Sequence, residues 1–180
     1  ATPQDSRSCK FTNWRGACTG TETCNLFMNS NKSVTANFNC NADNGYQYNS
    51  TLKKCVLQKF ELNVIGDGNC AGSVSGLAKT CFYSGTSKSR ICNKEFDQDS
   101  RVSLTATPQD SRSCKFTGWN VICTGTGTCN IVMDNDKEVT ANFNCNADNG
   151  YNYDSAFKRC VSICPNLFEW NPALGRCDPI

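Results

Sequence analysis

The sequence predicts an all-β protein of small modules, built as a disulfide-stapled tandem repeat. Three observations predict it. Apolar and polar residues alternate over short runs, 15 cysteines occur in 180 residues that hold no His, and residues 1–56 recur at 106–161.

The alternation comes first because it sets the fold class. Phe60, Leu62 and Val64 are separated by polar residues, and so are Val102, Leu104 and Ala106. Cys129, Ile131 and Met133 repeat the pattern, then Val139, Ala141 and Phe143. A period of two gives one dry face and one wet face, as in antiparallel sheets. Met133–Lys137 supplies turn residues between two such runs, so the pattern predicts a hairpin there. No stretch sustains a helical period over three turns.

Cysteine makes up about 8% of the chain, close to the level of a disulfide scaffold. Aliphatic residues are sparse, so a large core is not expected, and staples replace it. Stable disulfides belong outside the reducing cytosol. Zinc is disfavoured because the chain has neither His nor a C-x-x-C pair. The same absences remove His-based triads, haem attachment and a redox dithiol. No phosphate-binding glycine loop or nucleophile motif is present, so the chain is read as a non-enzyme without cofactor or metal. Net charge is +2 with the charges scattered, which argues against nucleic acid. No apolar run is long enough to span a bilayer. With no leader sequence in view, an extracellular chain is expected to be a mature or trimmed form.

The repeat sets the domain organisation. Residues 1–56 align with 106–161 at an offset of 105 without a gap, and about 40 of the 56 positions are identical. Cys9, Cys18, Cys24, Cys40 and Cys55 match Cys114, Cys123, Cys129, Cys145 and Cys160. Four regions follow: a second-half module at 1–39, a disulfide hairpin at 40–56, a complete module at 57–144, and two disulfide hairpins at 145–180. The hairpins are CNADNGYQYNSTLKKC, CNADNGYNYDSAFKRC and CPNLFEWNPALGRC. Each carries turn residues and aromatics between two cysteines, which suits a short hairpin closed by its own bond.

The stretch VSLTATPQDSRSCKFTGWNVICTGTGTCNIVMDNDKEVTANF resembles the divergent internalin-type B-repeat of bacterial surface and secreted proteins. The marks are the strand ending L-T-A-T-P, then F-T-G-W, C-T-G-T-G-T-C and V-T-A-N-F. The resemblance implies compact β-rich, β-grasp-like units that serve as spacers, stalks or adhesive arrays. Cys70 and Cys114 depart from the family pattern as an added staple. The tail CPNLFEWNPALGRCD resembles part of a peritrophin-type chitin-binding motif, which requires more cysteines than this tail holds.

Fifteen cysteines leave one without a partner in the chain. The hairpins pair internally as Cys40–Cys55, Cys145–Cys160 and Cys164–Cys177, and the C-T-G-T loops as Cys18–Cys24 and Cys123–Cys129. In the complete module Cys81–Cys92 brackets a hairpin, and Cys70–Cys114 ties its halves. Cys9 remains, unpaired or intermolecular. Other connectivities stay formally open. This one orphans the residue whose partner would lie in a missing first half. Either the chain is cut from a longer array at Ala1, or another subunit supplies strands to residues 1–39.

The expected function is therefore an extracellular or cell-surface structural repeat, as a filament protomer or stalk that self-associates or continues an array. The rival is an adhesin or chitin-like glycan binder using Tyr46, Tyr48, Tyr151, Tyr153, Phe168 and Trp170. Trp14 and Trp119 are read as core caps. Asp134, Asp136 and Asp67 are read as turn residues rather than calcium ligands, since neither cluster continues to a distal Glu. Asn31 and Asn49 open glycosylation acceptor triplets.

Overall fold

A computed structural model describes residues 1–166 and 168–180. The described chain is all-β, with two three-residue 3₁₀ turns at Ala42–Asn44 and Ala147–Asn149. It divides into two compact units, Ala1–Lys59 and Phe60–Ile180.

The first unit holds two small antiparallel sheets. β1 (Cys9–Gly16) pairs with β2 (Val34–Cys40), and β3 (Tyr46–Asn49) pairs with β4 (Lys54–Leu57). None of the buried hydrophobic side chains belongs to this unit. Its local order comes from turns and staples instead. Asn49 Oδ1 accepts from the backbone N–H groups of Thr51 and Leu52 at 3.0 and 2.8 Å, closing the β3–β4 turn.

The second unit begins within β5 (Lys59–Gly68), from Phe60 onward, and continues with β6 (Gly72–Ser75), β7 (Cys81–Tyr83), β8 (Ser89–Asp97) and β9 (Arg101–Pro108). It continues with β10 (Cys114–Val121), β11 (Cys129–Val132) and β12 (Lys137–Cys145). These strands form two four-stranded sheets, ordered β10-β12-β5-β8 and β11-β9-β6-β7. One core lies between them. Leu62, Val64, Val139 and Phe143 enter it from the first sheet, and Val74, Leu104 and Ile131 from the second, all buried. This core is larger than composition suggested, because Leu62, Val64, Val74, Leu77, Val102, Leu104, Ile131 and Val139 converge on it. Two hairpins follow, β13 (Tyr151–Asp154) with β14 (Arg159–Ser162) and β15 (Phe168–Asn171) with β16 (Arg176–Pro179).

Two local expectations are corrected. The turn at Met133–Lys137 does not close a hairpin: β11 pairs with β9, while β12 pairs with β10 and, in parallel, with β5. Cys81 and Cys92 likewise bracket no hairpin, since β7 and β8 lie in different sheets, and their bond joins the sheets. Alternation specifies which face of a strand is dry, but a turn that moves the chain between sheets has the same composition as one that reverses it in place.

Two glycines permit the close packing of the sheets. A Cβ on Gly66 would lie 2.5 Å from the Tyr83 ring, and one on Gly72 would overlap the Phe143 ring.

Backbone strain appears at a repeat position. Val121 has φ 82°, a left-handed value that a β-branched residue tolerates poorly, and its counterpart Gly16 has φ 96°. Val121→Gly is therefore expected to stabilise the second unit by roughly 1 kcal/mol. Thermal unfolding checks this, and an unchanged or lower midpoint would show that the site stores no strain.

Candidate functional site

The sheet β1–β2 and its copy β10–β12 are built from nearly the same residues, and they fold alike. Cys9 faces Cys40, Phe11 faces Phe38 and Trp14 faces Ala36; Cys114 faces Cys145, Phe116 faces Phe143 and Trp119 faces Ala141. Both ladders shift register after the Phe, at Phe11/Asn13 and Phe116/Gly118. The edge-to-face ring pairs also match, with centroids 5.2 Å apart for Phe11–Trp14 and 5.1 Å for Phe116–Trp119. Both indole N–H groups donate to a loop carbonyl, Trp14 to Glu22 at 2.9 Å and Trp119 to Gly127 at 2.7 Å.

The two copies differ in what covers them. β12 carries β5 along its outer edge, and the second sheet lies over its apolar face. β2 pairs only with β1 among the described residues. Phe143 is 0% exposed and Phe38 43%; Met133 is 0% and Met28 67%; Ile131 is 3% and Leu26 38%. Phe27 beside them is 83% exposed. The first unit thus presents an apolar face and a strand edge that its own copy buries.

Cys9 stands at one end of this face, half-buried, as the free cysteine. It opens on a groove of about 660 Å³ lined by Ser8, Cys9, Phe38, Cys40, Tyr48 and Cys55. In the second unit the residues Ser113, Cys114 and Cys160 lie beside Asn69, Cys70 and Ala71. There Cys114 is bonded to Cys70. The N–H of Cys70 donates to the Phe143 carbonyl at 3.1 Å, and the Asn69 side-chain oxygen accepts from the N–H of Cys145 at 2.9 Å. The segment 69–71 therefore walls one side of the equivalent groove, which is smaller at about 420 Å³, and the first unit has no such wall among its lining residues.

The same turn positions Cys9 and Cys114. The carbonyl of Asp5 accepts from the N–H of Cys9 at 2.9 Å, and that of Asp110 from Cys114 at 2.8 Å. The side chains of Asp5 and Asp110 accept from Ser8 and Ser113 and from the N–H groups of Arg7 and Arg112. These donors, the Ser hydroxyls foremost, hold both carboxyls below their ordinary value of 3.8. Any stability this turn supplies is full above that value and is lost as pH falls through the lowered one.

The structure brings seven cysteine pairs together at disulfide distance. Their Cα separations are 5.7 Å for Cys18–Cys24, 5.5 Å for Cys40–Cys55, 5.8 Å for Cys70–Cys114 and 5.7 Å for Cys81–Cys92. For Cys123–Cys129, Cys145–Cys160 and Cys164–Cys177 they are 5.6, 5.4 and 5.5 Å. All lie in the range that a disulfide spans without backbone movement. Cys70, Cys114 and Cys160 cluster like metal ligands, with Cys70 Sγ 3.3 Å from Cys160 Sγ. All three belong to disulfides, so the cluster is two stacked bonds.

The hairpin aromatics separate into two kinds. Tyr46, Tyr151 and Trp170 are half-buried, whereas Tyr48, Tyr153 and Phe168 are exposed. Trp170 donates its indole N–H to the Asp148 carbonyl at 2.9 Å, and a Cβ on Gly150 would lie 2.6 Å from its ring. Trp170 is thus the joint between the last two hairpins. Beside it is a cavity of about 230 Å³ lined by Arg112, Asn149, Tyr151, Phe168, Glu169 and Trp170. Of the three carboxylates read as turn residues, Asp134 and Asp136 lie between β11 and β12, whereas Asp67 is corrected to strand β5, opposite Asn142 of β12. Asp67 accepts from the N–H of Gly68 at 2.7 Å, Asp136 from Glu61 at 2.8 Å, and Asp134 pairs with Lys137 at 2.6 Å.

Both copies of this sheet lie in stretches with a shared family pattern. The model of the divergent InlB B-repeat domain matches residues 1–42 and 73–147. The chain belongs to that family. No curated protein and no solved structure matches it. In this B-repeat protein β5 and Cys70, which close the edge of the second copy, lie outside the matched residues. Its disulfides suit an oxidising setting outside the reducing cytosol. No helix among the described residues is long and apolar enough to cross a membrane.

The uncovered face was partly legible in sequence, because the repeat exposes the missing half. The two-sheet core and the parallel β5–β12 pair were not. Gly66 and Gly72 were the available signal, since a glycine inside a strand marks close approach of another element.

Proposed function

We propose that the chain is a non-enzymatic structural element of an extracellular array, a filament protomer or a stalk of bacterial type. One observation carries the reading: the same half-module is buried in one unit and bare in the other, with Phe143 fully covered and Phe38 open. A bare β-face with a free edge suits a protein that works by continuing into a neighbour. Disulfides in every module suit a material exposed to proteases and mechanical load, since each restricts the unfolded chain by about 2–4 kcal/mol. Electron microscopy of native material is the test. Regular fibres or extended threads are the expected result, and isolated particles at all concentrations would overturn it.

The second reading, an adhesin or glycan binder, is favoured by the small cavity at Tyr151, Phe168 and Trp170, where aromatic faces meet Arg112, Asn149 and Glu169. Aromatic rings beside hydrogen-bonding groups suit a sugar. Glycan-array binding that is lost in Phe168→Ala would favour it.

A further inference from the structure

The second unit contains the answer to what covers the first. We propose that the bare face of β1–β2 is a docking site for a polypeptide strand with the pattern of residues 59–75, which adds in parallel to β2 and forms a disulfide to Cys9. This deepens the array reading and rests on it.

The occupant's chemistry follows from the covered copy. β5 runs parallel to β12 with Val64 opposite Val139, Gly66 opposite Ala141 and Gly68 opposite Phe143. Moved back by the repeat offset, these positions of β12 are Val34, Ala36 and Phe38 of β2. The arriving strand therefore needs alternating apolar residues that end opposite Val34, then a glycine opposite Phe38. Gly68 has φ 101°, and a Cβ there would overlap the Phe143 carbonyl. Next comes an Asn to accept from the N–H of Cys40, as Asn69 does from Cys145. A cysteine follows it at the position of Cys70, bonded to Cys9 as Cys70 is to Cys114. The groove beside Cys9, about 660 Å³, has a counterpart of about 420 Å³ in the second unit, where Asn69–Ala71 forms part of the wall. This chain's own 59–75 segment is already engaged, with Leu62, Val64 and Val74 fully buried. The occupant thus comes from outside residues 1–180.

The bond balances through a small-molecule disulfide such as oxidised glutathione. The Cys9 thiolate attacks it, forming a mixed disulfide and releasing one glutathione thiolate. The thiolate of the arriving cysteine then attacks the Cys9 sulfur and releases the second. Two protein thiols are oxidised, and one glutathione disulfide is reduced to two thiols.

A synthetic peptide of sequence Lys59–Ser75 tests this on the intact chain in a glutathione redox buffer, read by intact mass and non-reducing peptide mapping. The expected adduct joins the peptide cysteine to Cys9 at least about tenfold faster than a peptide carrying Cys70→Ser and Ala71→Cys, because register presents only the first sulfur correctly. Cys9→Ser should abolish the adduct. In parallel, the peptide carrying Cys70→Ser alone should slow amide exchange across Val34–Cys40. Equal rates for the two cysteine peptides, an adduct that survives Cys9→Ser, Cys9 exchanging into the Cys40–Cys55 bond instead, or unprotected Val34–Cys40 amides would each overturn the proposal. The assay needs no fibre. Its failure leaves an array built through other contacts standing, and absence of fibres leaves the docking site standing.

Discussion

Phe143→Ala is expected to destabilise the second unit by about 3–5 kcal/mol, while Phe38→Ala leaves the first unit's stability almost unchanged. The two residues occupy the same repeat position and sit in the same heptapeptide, VTANFNC. Phe143 is fully buried, against Phe116 at a ring-centroid distance of 5.5 Å and Tyr83 at 6.2 Å. Phe38 keeps its Phe11 neighbour at 5.6 Å but has no counterpart of Tyr83. Removing a ring from a closed core costs both its transfer energy and the cavity it leaves. Removing one that water already reaches costs little. Thermal or urea unfolding of the two variants reads the difference. Equal losses would show that the first unit has a core of its own and would remove the basis for a bare docking face.

The double variant Cys70→Ser, Cys114→Ser should cost the second unit about 4 kcal/mol, the loop-closure value for a 44-residue separation. The double change is needed because Cys114→Ser alone would leave a Cys70 thiol 3.3 Å from Cys160, free to invade the Cys145–Cys160 bond. Full reduction should act unevenly. The first unit, with no buried hydrophobic side chain, should lose protease resistance first. The second should keep a cooperative, though lower, transition from its shared core. Limited proteolysis followed by mass mapping checks the order of loss. Simultaneous cleavage of both units on reduction would mean that the core of the second unit cannot hold without its staples.

The sequence by itself determined the repeat, the strand-forming runs and the identity of the cysteine with no equivalent partner. Each of these depends on local alternation or on comparison of two aligned copies, and both are visible in one dimension. Tertiary structure decided which strands pair. It put β11 with β9 rather than β12, laid β5 parallel to β12, and set Cys81 and Cys92 in opposite sheets. It also decided burial. Residues 34–40 and 139–145 have the same seven letters and form the same strand, yet only the second is closed over. Backbone propensity is set by a residue and its neighbours, whereas burial depends on which distant segment arrives to cover it. Residues 59–108 cover the second copy, and among the described residues no equivalent segment covers the first.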